Sequence, residues 1–422
     1  MKPPTVLLIH HWSLLIFGIA KINIIFQHCW GYFMPRLFAV CTPGLEPFLA
    51  GELDQLGLPT IHPSSRSEDS SLSKESADEV GGVEFRGSLP DLYRANLHLR
   101  TASRILLQLG AFYADTFSDL RRRAKRLPWE NHLHPGGAVS LRVTCHKSRL
   151  FHSDAVAERI MDAIGDRLGK LPPVQNFEAE GDTQLPRLII VRLVENQCTI
   201  HIDSSGSLLH RRGYRLATAK APLRETLAAG ILLASGWDTL SPLLDPFCGS
   251  GTIPIEASLL ARKIPPGTRR QFAFMDWPNF DSAMWEKLLA ETQTMQRAPW
   301  AKIVASDRDA GAIQAARANA ERAGVMDSIE FSCRPISAID PPLGPGWVVT
   351  NPPYGVRLGT HRDLRNLYAR FGQALRAQCP GWKITMLCNS AQLLRATGLK
   401  FDPGIPTRNG GLKVRLMRGR IE

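Results

Sequence analysis

The chain has 422 residues, 44% hydrophobic and 21% charged, with 34 glycines and 30 prolines, a composition that excludes disorder, collagen and coiled coil and suits two or three domains with cores of their own. Against 39 Asp and Glu stand 51 Lys and Arg, for a net charge of +12, which favours a polyanionic partner (RNA, DNA or an anionic membrane) over an acidic small substrate. The eight cysteines form no CxxC pair and no clustered Cys/His spacing, so no metal site is expected and they read as reduced thiols of a cytoplasmic protein.

Pro3 to Ala20 carry no Asp, Glu, Lys or Arg, and the apolar character resumes after Lys21 up to Phe33, which raises a membrane anchor. His10, His11, Lys21, Asn23, Gln27 and His28 interrupt the run, and no small-residue cleavage site marks a secretory signal. Met34 leads directly into a β-like run, Arg36 to Cys41, then a helix start with Thr42 as cap and Pro43 first. Residues 1–33 therefore read as a mis-assigned start or tail, and no membrane is expected if Met34 is the true start.

Residues 34–99 read as a small α/β layer: a strand, a helix at Leu45 to Leu56, a strand at Gly82 to Arg86 and a helix at Leu89 to Asn96, with Ser88 and Asp91 spaced as a capping box. Within it, Ser64 to Glu79 is rich in Ser, Glu and Asp and reads as a flexible surface insertion. Residues 100–205 form a second α/β unit with strands at Ile105 to Phe112 and Val139 to Thr144, a helix through Leu120, and a helix at Asp154 to Leu168. It closes on a hairpin, Leu188 to Val194 and Cys198 to Asp203, turned at Asn196 and Gln197. Between Arg86 and Arg149 twelve cations face four carboxylates. A run such as Arg121, Arg122, Arg123, Lys125 and Arg126 is ordinarily a solvated helix face, but so much of the excess in one unit points to a phosphate-binding surface, with Lys147 and Arg149 in it.

From Ala221 apolar strands alternate with amphipathic helices, the pattern of a doubly wound sheet. Strands are expected at Leu243 to Asp245, Ile303 to Ser306, Ile329 to Ser332, Trp347 to Thr350, Ile384 to Cys388 and Leu412 to Met417. The segment LLDPFCGSGT, Leu243 to Thr252, is a strand, an acid, a glycine turn and a helix start over Ile253 to Leu260. Gly249 and Gly251 would let backbone approach a ligand, with unpaired N–H groups at the helix N-terminus beyond; alone, such a pair is only a left-handed turn. The next strand ends at Asp307, where an acid of a nucleotide-binding fold accepts from ribose hydroxyls, although Asp307 could equally cap the helix Ala310 to Arg322. The two acids are 62 residues apart, so Arg262 to Trp300 reads as an insertion. Its Arg269, Arg270, Phe272, Phe274 and Trp277 suit either a substrate lip or hydrophobic packing.

Asn351-Pro352-Pro353-Tyr354 follows the strand Trp347 to Thr350. An exocyclic base amine is a poor nucleophile because its lone pair is delocalised into the ring. Two acceptors, Asn351 Oδ1 and the Pro352 carbonyl, can hold its protons and favour a pyramidal nitrogen aimed at an electrophile, while Tyr354 stacks on a base flipped into the pocket. Pro352 and Pro353 end the strand and keep those carbonyls out of ladder pairing.

DPFCGSGT and NPPY resemble class I S-adenosylmethionine methyltransferases acting on exocyclic amines. DSSGSLLHRRGYR (Asp203 to Arg215), APLRETLAA (Ala221 to Ala229) and NGGLKVRL (Asn409 to Leu416) look like the bacterial THUMP-domain guanosine N2-methyltransferases, and the resemblance spans about Met34 to Met417. It implies an α/β architecture: a ferredoxin-like domain over 34–99, a THUMP RNA-binding domain over 100–205 and a Rossmann-like class I methyltransferase domain over 206–422. It also implies S-adenosyl-L-methionine as cofactor and N2-methylguanosine in 23S rRNA or tRNA as product. By position, Asp245, Phe247, Gly249, Ser250, Gly251 and Thr252 would line the methionine part of the cofactor, Asp307 and Arg308 the ribose, and Asn351, Pro352, Pro353 and Tyr354 the base. Arg211 and Arg212 of the connector would join the RNA-contacting residues. One departure stands out: the acid expected after the third strand to bind the adenine amine is replaced by Pro335, which leaves backbone near Ile336 and Ser337 for that contact. Cys248 is no nucleophile under this resemblance. Alternative readings are a DNA adenine N6-methyltransferase, which shares NPPY, and an RNA-binding protein that has lost catalysis.

Overall fold

The computed structural model describes residues 34–61, 81–175, 186–215, 223–298, 300–354 and 361–422. The apolar N-terminal run and the insertion Ser64 to Glu79 lie outside them. The first half runs β1 (Arg36–Cys41), α1 (Glu46–Gln55), β2 (Gly81–Arg86), α2 (Leu89–His98), β3 (Ala102–Tyr113), α3 (Phe117–Ala124), β4 (Val139–His146), α4 (Ser153–Leu168), β5 (Arg187–Val194) and β6 (Gln197–Asp203). Alternation in β1 buries Leu37, Ala39 and Cys41, as period-two patterning requires. The capping box is present, Ser88 N–H donating to Asp91 Oδ2 at 2.9 Å. Thr42 is not the cap of α1: Gly44 takes φ +88° and keeps the backbone out of the helix until Leu45, the observed N-cap.

The two N-terminal units share one six-stranded sheet in the order β2-β1-β3-β6-β5-β4. The twelve-residue β3 pairs antiparallel with β1 on one side and β6 on the other, so the boundary expected near residue 100 is not a break in hydrogen bonding. The β5–β6 turn falls one residue earlier than expected. Glu195 and Asn196 both have positive φ, 51° and 64°, the two-residue geometry that matches strand twist, and Gln197 already pairs with Val194.

The second half contains α5 (Glu225–Ser235), β7 (Leu243–Asp245), α6 (Thr252–Ala261), α7 (Ser282–Met295), β8 (Ile303–Asp307), α8 (Ala310–Ala323), β9 (Ile329–Cys333), β10 (Trp347–Thr350), α9 (His361–Gln378), β11 (Lys383–Cys388), α10 (Ala391–Ala396), β12 (Lys400–Phe401), β13 (Ile405–Asn409) and β14 (Leu412–Arg420). Its sheet has the order β12-β14-β11-β10-β7-β8-β9, with β13 on β14. Strands β9, β8, β7, β10 and β11 are parallel; β14 is antiparallel to β11. The order reverses between β7 and β10, and ligands of such sheets bind in the crevice beyond the carboxyl ends at that point.

The halves are packed together. Tyr93 of α2 stacks on Phe274 at 4.4 Å between centroids, with Phe272 and Trp285 completing the cluster. The aromatics of the insertion are therefore packing, not a substrate lip, and Arg270 donates to the carbonyls of Ser207, Leu208 and Arg211. Arg100 Nη2 donates to Ile264 O at 2.7 Å. Arg212 is buried against Glu256 (Nε–Oε1 3.2 Å, Nη2–Oε2 3.3 Å), and Tyr214 donates to the same carboxylate at 3.0 Å.

Candidate active site

The glycine loop and the NPPY segment sit side by side at the switch point because β7 and β10 are neighbours. Thr350, the last residue of β10, donates its hydroxyl to Asp245 Oδ1 at 2.6 Å, and the Phe247 N–H donates to the same oxygen at 3.2 Å. Burial pushes the Asp245 carboxyl up to about 7; these two hydrogen bonds offset part of that push, and the nearby Asp307 charge adds to it. Asp307, at the tip of β8, accepts from Gly249 N–H at 3.0 Å and from Asp309 N–H at 3.0 Å. The cap of α8 is Asp309, whose carboxylate accepts from Gly311 and Ala312, so Asp307 is not the N-cap.

Gly249 has φ +52°, and a Cβ built on it meets nothing within 4 Å among the described residues, so none of them fills the space over the turn. Gly251, φ +85°, would bring a Cβ within 3.0 Å of Ala316 Cβ, which fixes the close approach of α6 to α8. Neither Asp245 nor Asp307 forms an ion pair among the described residues. Two acids without a cation beside a glycine turn suit a positively charged ligand such as a sulfonium amino acid. Three of the residues expected at the cofactor also have partners within the fold: Thr252 Oγ1 accepts from Arg215 at 2.6 Å, the Ser250 carbonyl accepts from Asn319 at 3.0 Å, and Phe247 packs edge-on against Phe371. Burial pushes the Cys248 thiol well above its usual range, which removes it as a nucleophile. Arg308 is exposed beyond Asp307, Pro335 opens a short 3₁₀ turn, Ile336–Ala338, and Ser337 is exposed on it. Asp340 pairs with Arg334 at 3.0 Å.

Asn351 Oδ1 is buried and accepts no hydrogen bond among the described residues, an orphaned acceptor that a donor from a ligand would satisfy. The loop that carries it is pinned by two groups outside the expected set. Tyr368 OH donates to Pro353 O at 3.2 Å, and Asn409 Nδ2 donates to Tyr354 OH at 2.6 Å. Asn409 lies 55 residues from Tyr354; its only sequence signal was the NGGLKVRL motif.

The basic residues of the first half divide. Arg123, Lys125, Arg126 and Lys147 are exposed. Arg121 is engaged by Asp166 at 2.9 Å and Asp162 at 3.3 Å, Arg122 by Asp119, and Arg149 by Asp115 at 3.1 Å, although Arg122 and Arg149 still reach solvent. Arg211 is exposed. Arg212 is not a surface contact: only 3% of it is exposed, and its guanidinium is spent on Glu256, Leu209 O and Arg100 O. Among the described residues no group of His, Cys, Asp or Glu could hold a metal ion, and no helix is long and apolar enough to cross a membrane.

Three family models match consecutive parts of the chain: an RlmL ferredoxin-like domain over 70–106, a THUMP domain over 114–203 and an RMKL-like methyltransferase domain over 212–417. A Synechocystis sp. protein named "Putative RNA methyltransferase slr0064" is 34% identical over 90% of this chain and 95% of its own length. The ribosomal RNA large subunit methyltransferase K/L of Methylococcus capsulatus is 36% identical over 90% of this chain but only 50% of its own, so the chain spans about half the length of that relative. Among solved structures, SMU.472, described as "a putative methyltransferase complexed with SAH", superposes with a TM-score of 0.78 at 29% identity, covering 92% of this chain and 98% of that one. That bound S-adenosylhomocysteine is the demethylated form of S-adenosylmethionine, the cofactor of this fold. With ferredoxin-like, THUMP and methyltransferase parts in that order, the chain belongs to the THUMP-containing class I S-adenosylmethionine-dependent methyltransferase family.

Proposed function

We propose that the protein methylates the exocyclic N2 of a guanosine in structured RNA, 23S rRNA or tRNA. The observation that carries this reading is the buried Asn351 Oδ1 at the tip of β10, unpartnered among the described residues and tied through Thr350 to the acid of the glycine loop. When bound, S-adenosylmethionine supplies an electrophilic methyl on its sulfonium. Asp245 and the turn through Gly249 and Gly251 hold its amino-acid part, and Asp307 its ribose. Asn351 Oδ1 accepts a hydrogen bond from one N–H of the target amine and the Pro352 carbonyl from the other, which holds the nitrogen pyramidal with its lone pair aimed at the methyl. As the N–CH3 bond forms and the S–CH3 bond breaks, the amine becomes acidic and gives up one proton to water, so no strong base is needed. The face of Tyr354 stacks on the extruded base, with its hydroxyl held by Asn409. RNA as the substrate is supported by the THUMP match, the printed names of the relatives and the exposed Arg123, Lys125 and Arg126 of the first half, a surface suited to phosphate contacts and shape rather than base edges.

The test is to incubate the chain with labelled S-adenosylmethionine and, separately, unmodified tRNA, 23S rRNA and duplex DNA, then identify the methylated nucleoside by mass. N2-methylguanosine from one RNA supports the reading. N6-methyladenine from DNA alone replaces it with the DNA methylase reading, and no transfer to any of the three leaves an RNA-binding protein without catalysis.

A further inference from the structure

The β13–β14 hairpin rises past the carboxyl edge of the second sheet. Arg415 pairs with Cys388, the last residue of β11, so Leu412, Lys413 and Val414 extend beyond it, at the same end of the sheet where β10 runs into Asn351. A two-glycine turn, with Gly410 at φ +59°, joins Asn409 to Leu412. Directly opposed residues of an antiparallel pair share a face. One face carries Thr407, Val414 and Leu416, all buried, and at its tip Asn409, bonded to Tyr354. The other carries Arg408 directly opposite Lys413.

Like charges at directly opposed positions destabilise a strand pair, and a fold that keeps them gains when an anion sits between. Neither Arg408 nor Lys413 has a carboxylate within ion-pair distance among the described residues. Arg415, next along that face, is committed to Gly404 O at 2.5 Å. At the turn, Leu412 is 50% exposed, so the tip is open to a large partner. The base of the hairpin is fixed: Gly44 of the N-terminal layer lies so close to the Pro406 carbonyl that a side chain there would collide with it.

We infer that Arg408 and Lys413 form a phosphate clamp for the RNA backbone beside the target nucleotide. The inference rests on RNA being the substrate, as proposed above. A phosphate held by the pair relieves their mutual repulsion, and a guanidinium with an ammonium offers a forked donor beside a point charge for its oxygens. Because the inner face of the same two strands holds the Tyr354 hydroxyl, the clamp sets the backbone in register with the ring on which the base stacks. The phosphate contact positions the nucleotide and carries no sequence information.

The experiment compares the wild-type chain, the Arg408→Gln/Lys413→Gln double variant and the charge-keeping Arg408→Lys/Lys413→Arg variant, using transcribed 23S rRNA and unmodified tRNA as probes. RNA affinity is measured across a potassium chloride series, with KM for RNA and affinity for S-adenosylmethionine alongside. The expected result is a salt slope shallower by about one per cation, about two in the neutral double variant, with raised KM for RNA, unchanged cofactor affinity, and a slope retained by the charge-keeping variant. A neutral variant matching the wild type in slope and KM, while the wild type methylates RNA, overturns the clamp alone. A wild type that neither binds nor methylates either RNA overturns the substrate reading and the clamp with it.

Discussion

Replacing Glu256 by glutamine removes one negative charge from the interior with almost no change of shape. In the folded chain that carboxylate accepts from Arg212 through Nε and Nη2 and from Tyr214 OH, and the side-chain exposures of the ion pair are 2% and 0%. Taking one partner from a buried pair leaves the other uncompensated and costs about 3–5 kcal/mol. Here Arg212 keeps two carbonyl acceptors, Leu209 O at 3.2 Å and Arg100 O at 2.8 Å, which places the loss near the lower end, about 3 kcal/mol. With an m-value of about 3 kcal/mol per molar urea, the unfolding midpoint falls by about 1 M. The Arg212→Met/Glu256→Leu double variant, which removes both charges, is expected to recover most of that loss. Arg212→Met alone should lose comparable stability and leave the salt dependence of RNA binding unchanged. A Glu256→Gln midpoint equal to the wild type's, or an Arg212→Met variant that keeps its stability while its salt slope falls, would refute the assignment of Arg212 to the interior.

Asn351→Ala should lower turnover by about two to three orders of magnitude, the scale seen when one preorganised polar contact to a reacting centre is lost, with S-adenosylmethionine affinity unchanged by calorimetry; full turnover would remove Asn351 from the mechanism. Asp245, raised by burial to about 7, is neutral in the folded chain at a pH where an unfolded aspartate is ionised. The stability held by its neutral form is complete below about 3.8 and is lost as pH rises through about 7. Affinity for the cationic cofactor should climb as pH rises through about 7, where the carboxylate forms in the folded chain, and Asp245→Asn should flatten that profile in a binding titration. Asn409→Leu removes the donor to Tyr354 OH; turnover is expected to fall about tenfold while the salt slope of RNA binding stays as in the wild type, and a fall in slope without a fall in turnover would assign Asn409 to the grip on phosphate.

What could be read from the residues was local. The Ser88–Asp91 box, the strand–acid–glycine run ending at Thr252 and the proline pair after Thr350 each fix their own backbone within a few positions, and all are where the sequence places them. Non-local pairings were not legible. Nothing in Ala102–Tyr113 reports that it pairs with strands on both sides, because a strand buried in one sheet has the same pattern whichever neighbours supply its hydrogen bonds. Arg212 and Arg211 are adjacent cations with opposite environments, and only the position of Glu256 on α6 separates them. Asn409 was visible as part of a motif, but its contact with Tyr354 depends on β14 reaching back to β11.

Tyr93 stacks on Phe274 across the two halves. The ring from the first half and the ring from the second fill one cavity, with Phe272 and Trp285 against them, and Asp281 N–H donates to the Tyr93 hydroxyl at 3.1 Å. A chain begun at residue 212, where the methyltransferase match starts, would present those rings to water as an adhesive face. The boundaries at which the family models separate are thus not boundaries of packing: one aromatic cluster belongs to both halves.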